Sequence, residues 1–233
     1  MKVDKFMTPR LLAVASFVEK GSRVADIGTD HAYIPIWLIE HEIAESALAM
    51  DINQGPIDRA NENIFKFGLC EKIKTRLSNG LENLEENEAD TVIIAGMGGI
   101  LINEILNEAK EKHLGVKRFI LQPMTAIEET RKFLAENGFC ILDERLAKEE
   151  EKLYCVLLVS RGEMKIEREF DYYIGEKLVL NKDPLLLDYL NGKIYEYEKA
   201  ISLLEKGDRE KTAERLAHFT FLAEEMKKLK ERC

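Results

Sequence analysis

Five short apolar, β-branched runs, "RVADIG", "SALAMDI", "IKTRLS", "DTVIIAGM" and "RFILQP", recur between residues 23 and 123. Helical stretches fall near 33–42, 56–67, 99–112 and 126–137, while the link after "IKTRLS" is too short and polar to assign as a helix. This alternation constrains the fold more than any other feature. Strands joined by crossovers lie parallel, and right-handed crossovers cover both faces of the sheet with helices. Two further runs, "CILDERLA" and "LYCVLLVS", are separated only by "KEEEK". Five residues cannot hold a crossover helix, so these two strands should close the sheet as an antiparallel hairpin. An N-terminal helix is expected in "TPRLLAVASFVEKG", with Thr8 as cap, Pro9 in the first turn and Gly21 as its end.

After Gly162 the texture changes. Leu187, Leu190, Ile194, Tyr197, Ile201 and Leu204 are spaced 3, 4, 3, 4, 3, as in a coiled-coil seam. Gly207-Asp208 then supplies a stop and a cap, and Leu216, Phe219, Ala223 and Met226 resume the spacing. The expected division is therefore 1–162 for the α/β domain and 163–233 for a helical, coiled-coil-like domain. That appendage either packs on itself or holds a large substrate against the α/β domain.

The chain carries 34 Lys and Arg against 43 Asp and Glu, a net charge of −9. Any nucleic-acid contact would have to use a local patch such as Arg131-Lys132 or the terminal "KKLKER". The four cysteines are far apart, with no Cys/His cluster at zinc spacing, so no metal is expected, and reduced, mostly core thiols are. "MKVDKFMTPR" has no apolar leader core, and no run approaches the roughly 18 apolar residues of a membrane span. A cytoplasmic protein without a membrane partner is expected, as a monomer.

The residues that point to chemistry fall at predicted strand ends. Asp26 and Gly28 close the first strand, where glycine lets backbone amides face a ligand. A dinucleotide fingerprint would need glycines at 30 and 33, but the chain has Asp30 and Tyr33 with His31 beside them, which argues against a nicotinamide oxidoreductase. Asp51, followed by Ile52, ends the second strand 25 residues beyond Asp26, where a carboxylate can take the ribose hydroxyls of an adenosine-type ligand, or else cap a helix. Asn79 and Gly80 follow the third strand and are either a ligand contact or an ordinary turn. In "AGMGG", Ala95, Gly96, Met97 and Gly98 leave little side chain at the edge of the central strand. This suits close approach of a bulky ligand, or close helix packing. Gln122 and Pro123 end the fifth strand, where Gln122 either bonds a base or caps the strand.

The set "RLLAVASFV", "ADIGTDHAYIP", "GPIDRA", "DTVIIAGMGGILI", "RFILQP" and "LYCVLLV" resembles the bacterial TrmK family of tRNA (adenine-N1)-methyltransferases, which modify adenine 22. The likeness covers residues 8–161. It implies a class I, Rossmann-like methyltransferase sheet of seven strands, S-adenosylmethionine as cofactor, tRNA as partner and a C-terminal helical domain that binds it. The cofactor residues would be Asp26, Gly28, Asp51, Ile52, Asn79, Gly80 and Ala95 to Gly98, and the base would meet Gln122 and Pro123. Asp30 is the candidate catalytic carboxylate beside the target adenine, with His31 and Tyr33 orienting or stacking the base. The competing readings are a cap or cofactor-ammonium partner for Asp30, and packing roles for His31 and Tyr33. Four positions depart from the family: Met124 replaces Asn, Met50-Asp51 replaces Gly-Glu, and Cys155 replaces Glu. A cofactor-binding protein that interacts with RNA without catalysis, or a methyltransferase for another substrate, is the alternative.

Overall fold

A computed structural model describes residues 2–108 and 115–233, in two compact units, Met1–Ile166 and Glu167–Cys233. The first unit is one seven-stranded sheet of β1 (Ser22–Ile27), β2 (Ala44–Asp51), β3 (Ile73–Leu77), β4 (Thr91–Met97), β5 (Arg118–Pro123), β6 (Phe139–Glu149) and β7 (Lys152–Arg161). The strand order is β3-β2-β1-β4-β5-β7-β6. The first five strands are parallel, and β7 inserts antiparallel between β5 and β6. The order reverses between β1 and β4, and that switch point opens a crevice at the carboxyl ends of the strands.

Parallel strands covered on both faces read as continuous apolar runs, which is why β4 shows no polar alternation: Thr91 to Ile94 are all buried. The crossovers are α2 (Tyr33–Glu40), α3 (Gln54–Lys66), α4 (Gly99–Glu108) and α5 (Ile127–Glu136), preceded by α1 (Pro9–Ala15). The part of the expected 99–112 helix beyond 108 lies outside the described residues. The β3–β4 link forms turns, tied by Arg76, whose two terminal nitrogens each donate to Glu88 at 2.6 Å.

Helix α1 stops well before Gly21. Thr8 caps its start as expected, but Ser16 turns its hydroxyl onto the Ala13 carbonyl at 2.7 Å. Phe17 and Val18 then bond to carbonyls only three residues back, tightening the chain out of the helix. The cysteines also differ from expectation: only Cys155 is buried, whereas Cys70 falls in the turn after α3 and Cys233 ends the chain, both exposed. Arg131 leaves the expected basic patch altogether. Its side chain is 1% exposed and donates to the equally buried Glu144 at 2.7 Å.

The second unit holds α6 (Glu169–Ile174), α7 (Glu176–Leu180), α8 (Leu186–Leu204) and α9 (Arg209–Lys230). The last two run antiparallel, joined by a Tyr197–Phe219 ring contact and a Glu198–Lys227 ion pair at 2.6 Å. The buried stripe of α8 starts at Leu186 and Tyr189, and the expected seam residue Leu187 is exposed. Leu186 and Leu187 stand four and three residues before Leu190, so either could flank the stripe, and Leu186 takes the buried side. No helix among the described residues is long and apolar enough to cross a membrane.

Candidate functional site

The site begins where β1 runs out. Gly28 adopts φ 77°, and the N–H groups of Gly28 and Thr29 both donate to the Met50 carbonyl, at 2.8 and 2.9 Å. The loop after β1 is thereby folded over the end of β2. A Cβ on Gly28 would meet only the end of the flexible Met97 side chain, which can move aside, so it is the left-handed φ at the end of β1 that favours glycine here. Gly96, at φ 78°, leaves the end of β4 equally bare. The glycines that follow serve another purpose. A Cβ on Gly99 would sit 2.5 Å from the Ala126 carbonyl and 2.7 Å from that of Thr125, so Gly99 permits close packing of α4 on the loop before α5.

Between these bare segments opens a cavity of about 310 Å³, within the range of small-ligand sites. It brings together seven of the residues singled out in the sequence: Asp26, Gly28, Asp30, His31, Tyr33, Ala95 and Gly96. The others stand outside its lining. Asp51 ends β2 and accepts from the Asn53 N–H at 2.7 Å, with the exposed Ile52 beside it. Asn79 is exposed just after β3, and Gly80 backs onto Ile105. The Met97 carbonyl accepts from the Met124 N–H at 2.8 Å, and the Gly98 carbonyl from the Ile102 N–H at the start of α4.

Asp26 is 7% exposed. Burial pushes its carboxyl up to about 6, with the Thr29 hydroxyl pulling it down and the nearby Asp51 charge pushing it further up. A carboxylate that is costly to ionise, at the wall of a cavity, is a place where a cationic ligand group would be taken up strongly.

At the rim, Asp30 does not cap α2. Its Oδ1 accepts from Arg59 Nε at 3.0 Å and from Arg59 Nη2, while Oδ2 lies 3.3 Å from His31 Nε2. Asn63, one turn beyond Arg59 on α3, donates to the His31 carbonyl at 3.1 Å. The His31 ring stacks on Tyr33 with centroids 5.1 Å apart, and Tyr33 stacks on Phe6 at 4.6 Å, making a column of three rings.

Gln122 is fully buried. Its carboxamide oxygen accepts from Arg10 Nη1 at 2.9 Å and from the Gly96 N–H at 3.1 Å, and its amide nitrogen donates to the Pro123 carbonyl at 3.0 Å. It braces the loop after β4 and fixes Arg10 rather than presenting its amide to the cavity. Arg10 is steadied further by Glu149 at 3.5 Å and by the Tyr154 ring. Arg10 and Arg59 are the site residues that the sequence reading missed. The one available signal for Arg10 was a charge opening an otherwise apolar helix, and Arg59 lay unremarked inside "GPIDRA".

Residues 7–157 match the family described as "Methyltransferase domain". The chain is 38% identical over 157 residues to the tRNA (adenine(22)-N(1))-methyltransferase of Bacillus subtilis, a stretch spanning 67% of this chain and 66% of that relative. The solved structure of the B. subtilis M1A22 tRNA methyltransferase TrmK superposes with a TM-score of 0.85 at 31% identity, covering 95% of this chain and 97% of the other. A Streptococcus pneumoniae structure in complex with S-adenosyl-L-methionine matches with a TM-score of 0.85 at 34% identity, covering 96% of this chain and 99% of that one.

Proposed function

The chain belongs to the methyltransferase-domain family and, within it, to the bacterial TrmK tRNA (adenine(22)-N1)-methyltransferases, and from that premise we propose that it transfers a methyl group from S-adenosylmethionine to N1 of adenine 22 in tRNA. The observation that carries this reading is the gathering of Asp26, Asp30, His31 and Tyr33 around one cavity whose floor is kept open by Gly28 and Gly96.

The residues fit the cofactor. The buried Asp26 suits the methionine ammonium, Asp51 the ribose hydroxyls, and the exposed Ile52 one face of the adenine, with Asn79 and Gly80 on the next strand end. The Ala95 to Gly98 segment offers backbone rather than side chain. When bound, S-adenosylmethionine supplies an activated methyl group on a sulfonium. The protein's own task is alignment, because N1 of a neutral adenine already has a free lone pair and needs no base. Well-oriented geometry of that kind contributes roughly 7–11 kcal/mol. Asp30 accepts the exocyclic amino hydrogens of the target adenine and stabilises the positive charge the base gains. The His31–Tyr33 stack gives the base a face worth on the order of 1–3 kcal/mol, which offsets the few kcal/mol needed to unstack it from folded tRNA. Residues 1–162 carry this chemistry and 163–233 bind tRNA; the chain works in the cytoplasm, as a monomer and without a metal.

Incubation with labelled S-adenosylmethionine and unmodified tRNA tests the reading. N1-methyladenosine at position 22 is expected, and cofactor binding without any transfer would overturn it.

Asp26 gives the site a pH signature. Only its ionised form attracts the ammonium, so cofactor affinity should fall as pH drops below about 6, by up to about tenfold per pH unit, and stay flat above about 7. The sign is opposite for the stability of the free protein. A carboxyl raised above its unfolded value stabilises the fold at low pH, and roughly 3 kcal/mol of that contribution is lost as pH rises through 6. Asp26→Asn should therefore abolish the pH slope of binding in calorimetry while raising the Tm of the free protein at neutral pH.

The end of α9 carries Lys227, Lys228 and Lys230 in its last turn. Lys227 and Lys228 are paired with Glu198 and Glu225, so replacing all three by Ala should weaken tRNA binding and reduce the slope of log affinity against log salt by about 1, with cofactor binding unchanged. Filter binding over a salt series measures both.

A further inference from the structure

We propose that Arg59 is a positioning residue for methyl transfer: from α3 it sets the orientation of the Asp30 carboxylate, while Asn63 on the next turn fixes the backbone of the same loop. The inference rests on the reading of Asp30 as the carboxylate that meets the base.

The loop does not hold itself. Ala32, between the rim residues and α2, is buried in the left-handed region at φ 55°, and α2 has no side-chain cap. A non-glycine residue there costs about 1–2 kcal/mol, so the conformation persists only when its surroundings impose it. The side chains that reach in from α3 are Arg59 and Asn63, an i, i+4 pair on one helix face. Arg59 places two N–H groups on Asp30 Oδ1, and Asn63 ties the His31 carbonyl.

The Arg59–Asp30 pair is poorly suited to a stabilising role. Their side chains are 48% and 60% exposed, and ion pairs so open to water contribute little to folding. What the contact does supply is direction. An untethered aspartate samples several χ1 wells, whereas two donors converging on one oxygen hold one of them. The second oxygen is left facing His31, whose ring leads the Tyr33 and Phe6 column. Carboxylate and stacking face are thus held in one arrangement before the base arrives.

Arg59→Ala should lower kcat on tRNA by about 10- to 100-fold, since small misplacement of a reacting group costs on that scale, with cofactor Kd and Tm unchanged. Arg59→Lys should recover part of the loss. Adding Arg59→Ala to Asp30→Asn should cost nothing further, because the two act through one group. Full kcat in Arg59→Ala, alongside a slow Asp30→Asn, would overturn the positioning role and leave the Asp30 reading intact. So would a loss confined to KM for tRNA, which would make Arg59 a phosphate contact. Full activity in Asp30→Asn would instead remove the Asp30 reading itself and this inference with it.

Discussion

Asp30→Asn is expected to remove two to three orders of magnitude from the rate of methyl transfer to tRNA while cofactor affinity stays within about threefold. The substitution keeps size and shape, and its amide oxygen can still accept from Arg59. What it loses is the negative charge at the cavity rim, where the proposed reaction builds positive charge on the adenine during transfer. Removing one preorganised electrostatic partner of a transition state costs about 10²–10³ in rate. Asp26 and Asp51 remain, so the groups proposed to hold the ammonium and ribose are untouched. Single-turnover transfer and calorimetric binding, measured on the same preparation, separate the two quantities. If cofactor affinity falls in parallel with rate, Asp30 belongs to the cofactor and not to the base.

The parts of this site that the sequence revealed, and those it hid, divide along a physical line. Asp26, Gly28 and Gly96 were legible because strand ends impose a local grammar: an acid, then a residue free of Cβ strain, at the point where the chain must turn. The strands themselves were legible because burial on both faces writes them as continuous apolar runs. Arg59 and Arg10 were not, since their meaning comes from partners 29 and 112 residues away that only the fold brings near. Gln122 was placed at the right edge, but which way its amide is spent depends on Arg10 and on the Gly96 N–H, both remote in sequence. The glycines of "AGMGG" looked alike as letters and differ in role, with Gly96 exposing backbone and Gly99 accommodating the carbonyls before α5. The misreading of Arg131 has the same origin. Beside Lys132 it reads as a basic patch, and the packing of α5 against β6 determines that it faces inward.

That burial gives Arg131 the largest expected effect on stability. Arg131 Nε donates to Glu144 Oε1 at 2.7 Å, Nη2 lies 3.5 Å from Cys155 Sγ, and the arginine and glutamate side chains are each 1% exposed. Two charges taken fully out of water are tolerated best as a pair, so Arg131→Met takes the cationic partner from the buried Glu144, whose Oε1 keeps the Cys155 thiol at 4.0 Å. A loss of about 3–5 kcal/mol is expected, which for a unit of this size lowers Tm by roughly 10 °C. Because the cost comes from the broken charge pair and not from lost packing, Arg131→Met combined with Glu144→Leu should recover most of it. Between α5 and the loop after β4 there is a hydrogen-bonded link. Helix α5 follows directly on the Thr125–Ala126 turn, where the Thr125 carbonyl accepts from the Gly99 N–H at 2.9 Å and Gly99 starts α4. Below its lowered Tm, Arg131→Met should still bind S-adenosylmethionine with nearly unchanged affinity, since Asp26, Gly28 and Gly96 stand on β1, the loop after it and β4, and not on α5. Denaturant titration with an unchanged m-value, together with recovery in the double variant, would establish the broken charge pair as the cause. A destabilisation below about 1 kcal/mol in Arg131→Met would show that the remaining contacts of Glu144 suffice to hold it without the guanidinium.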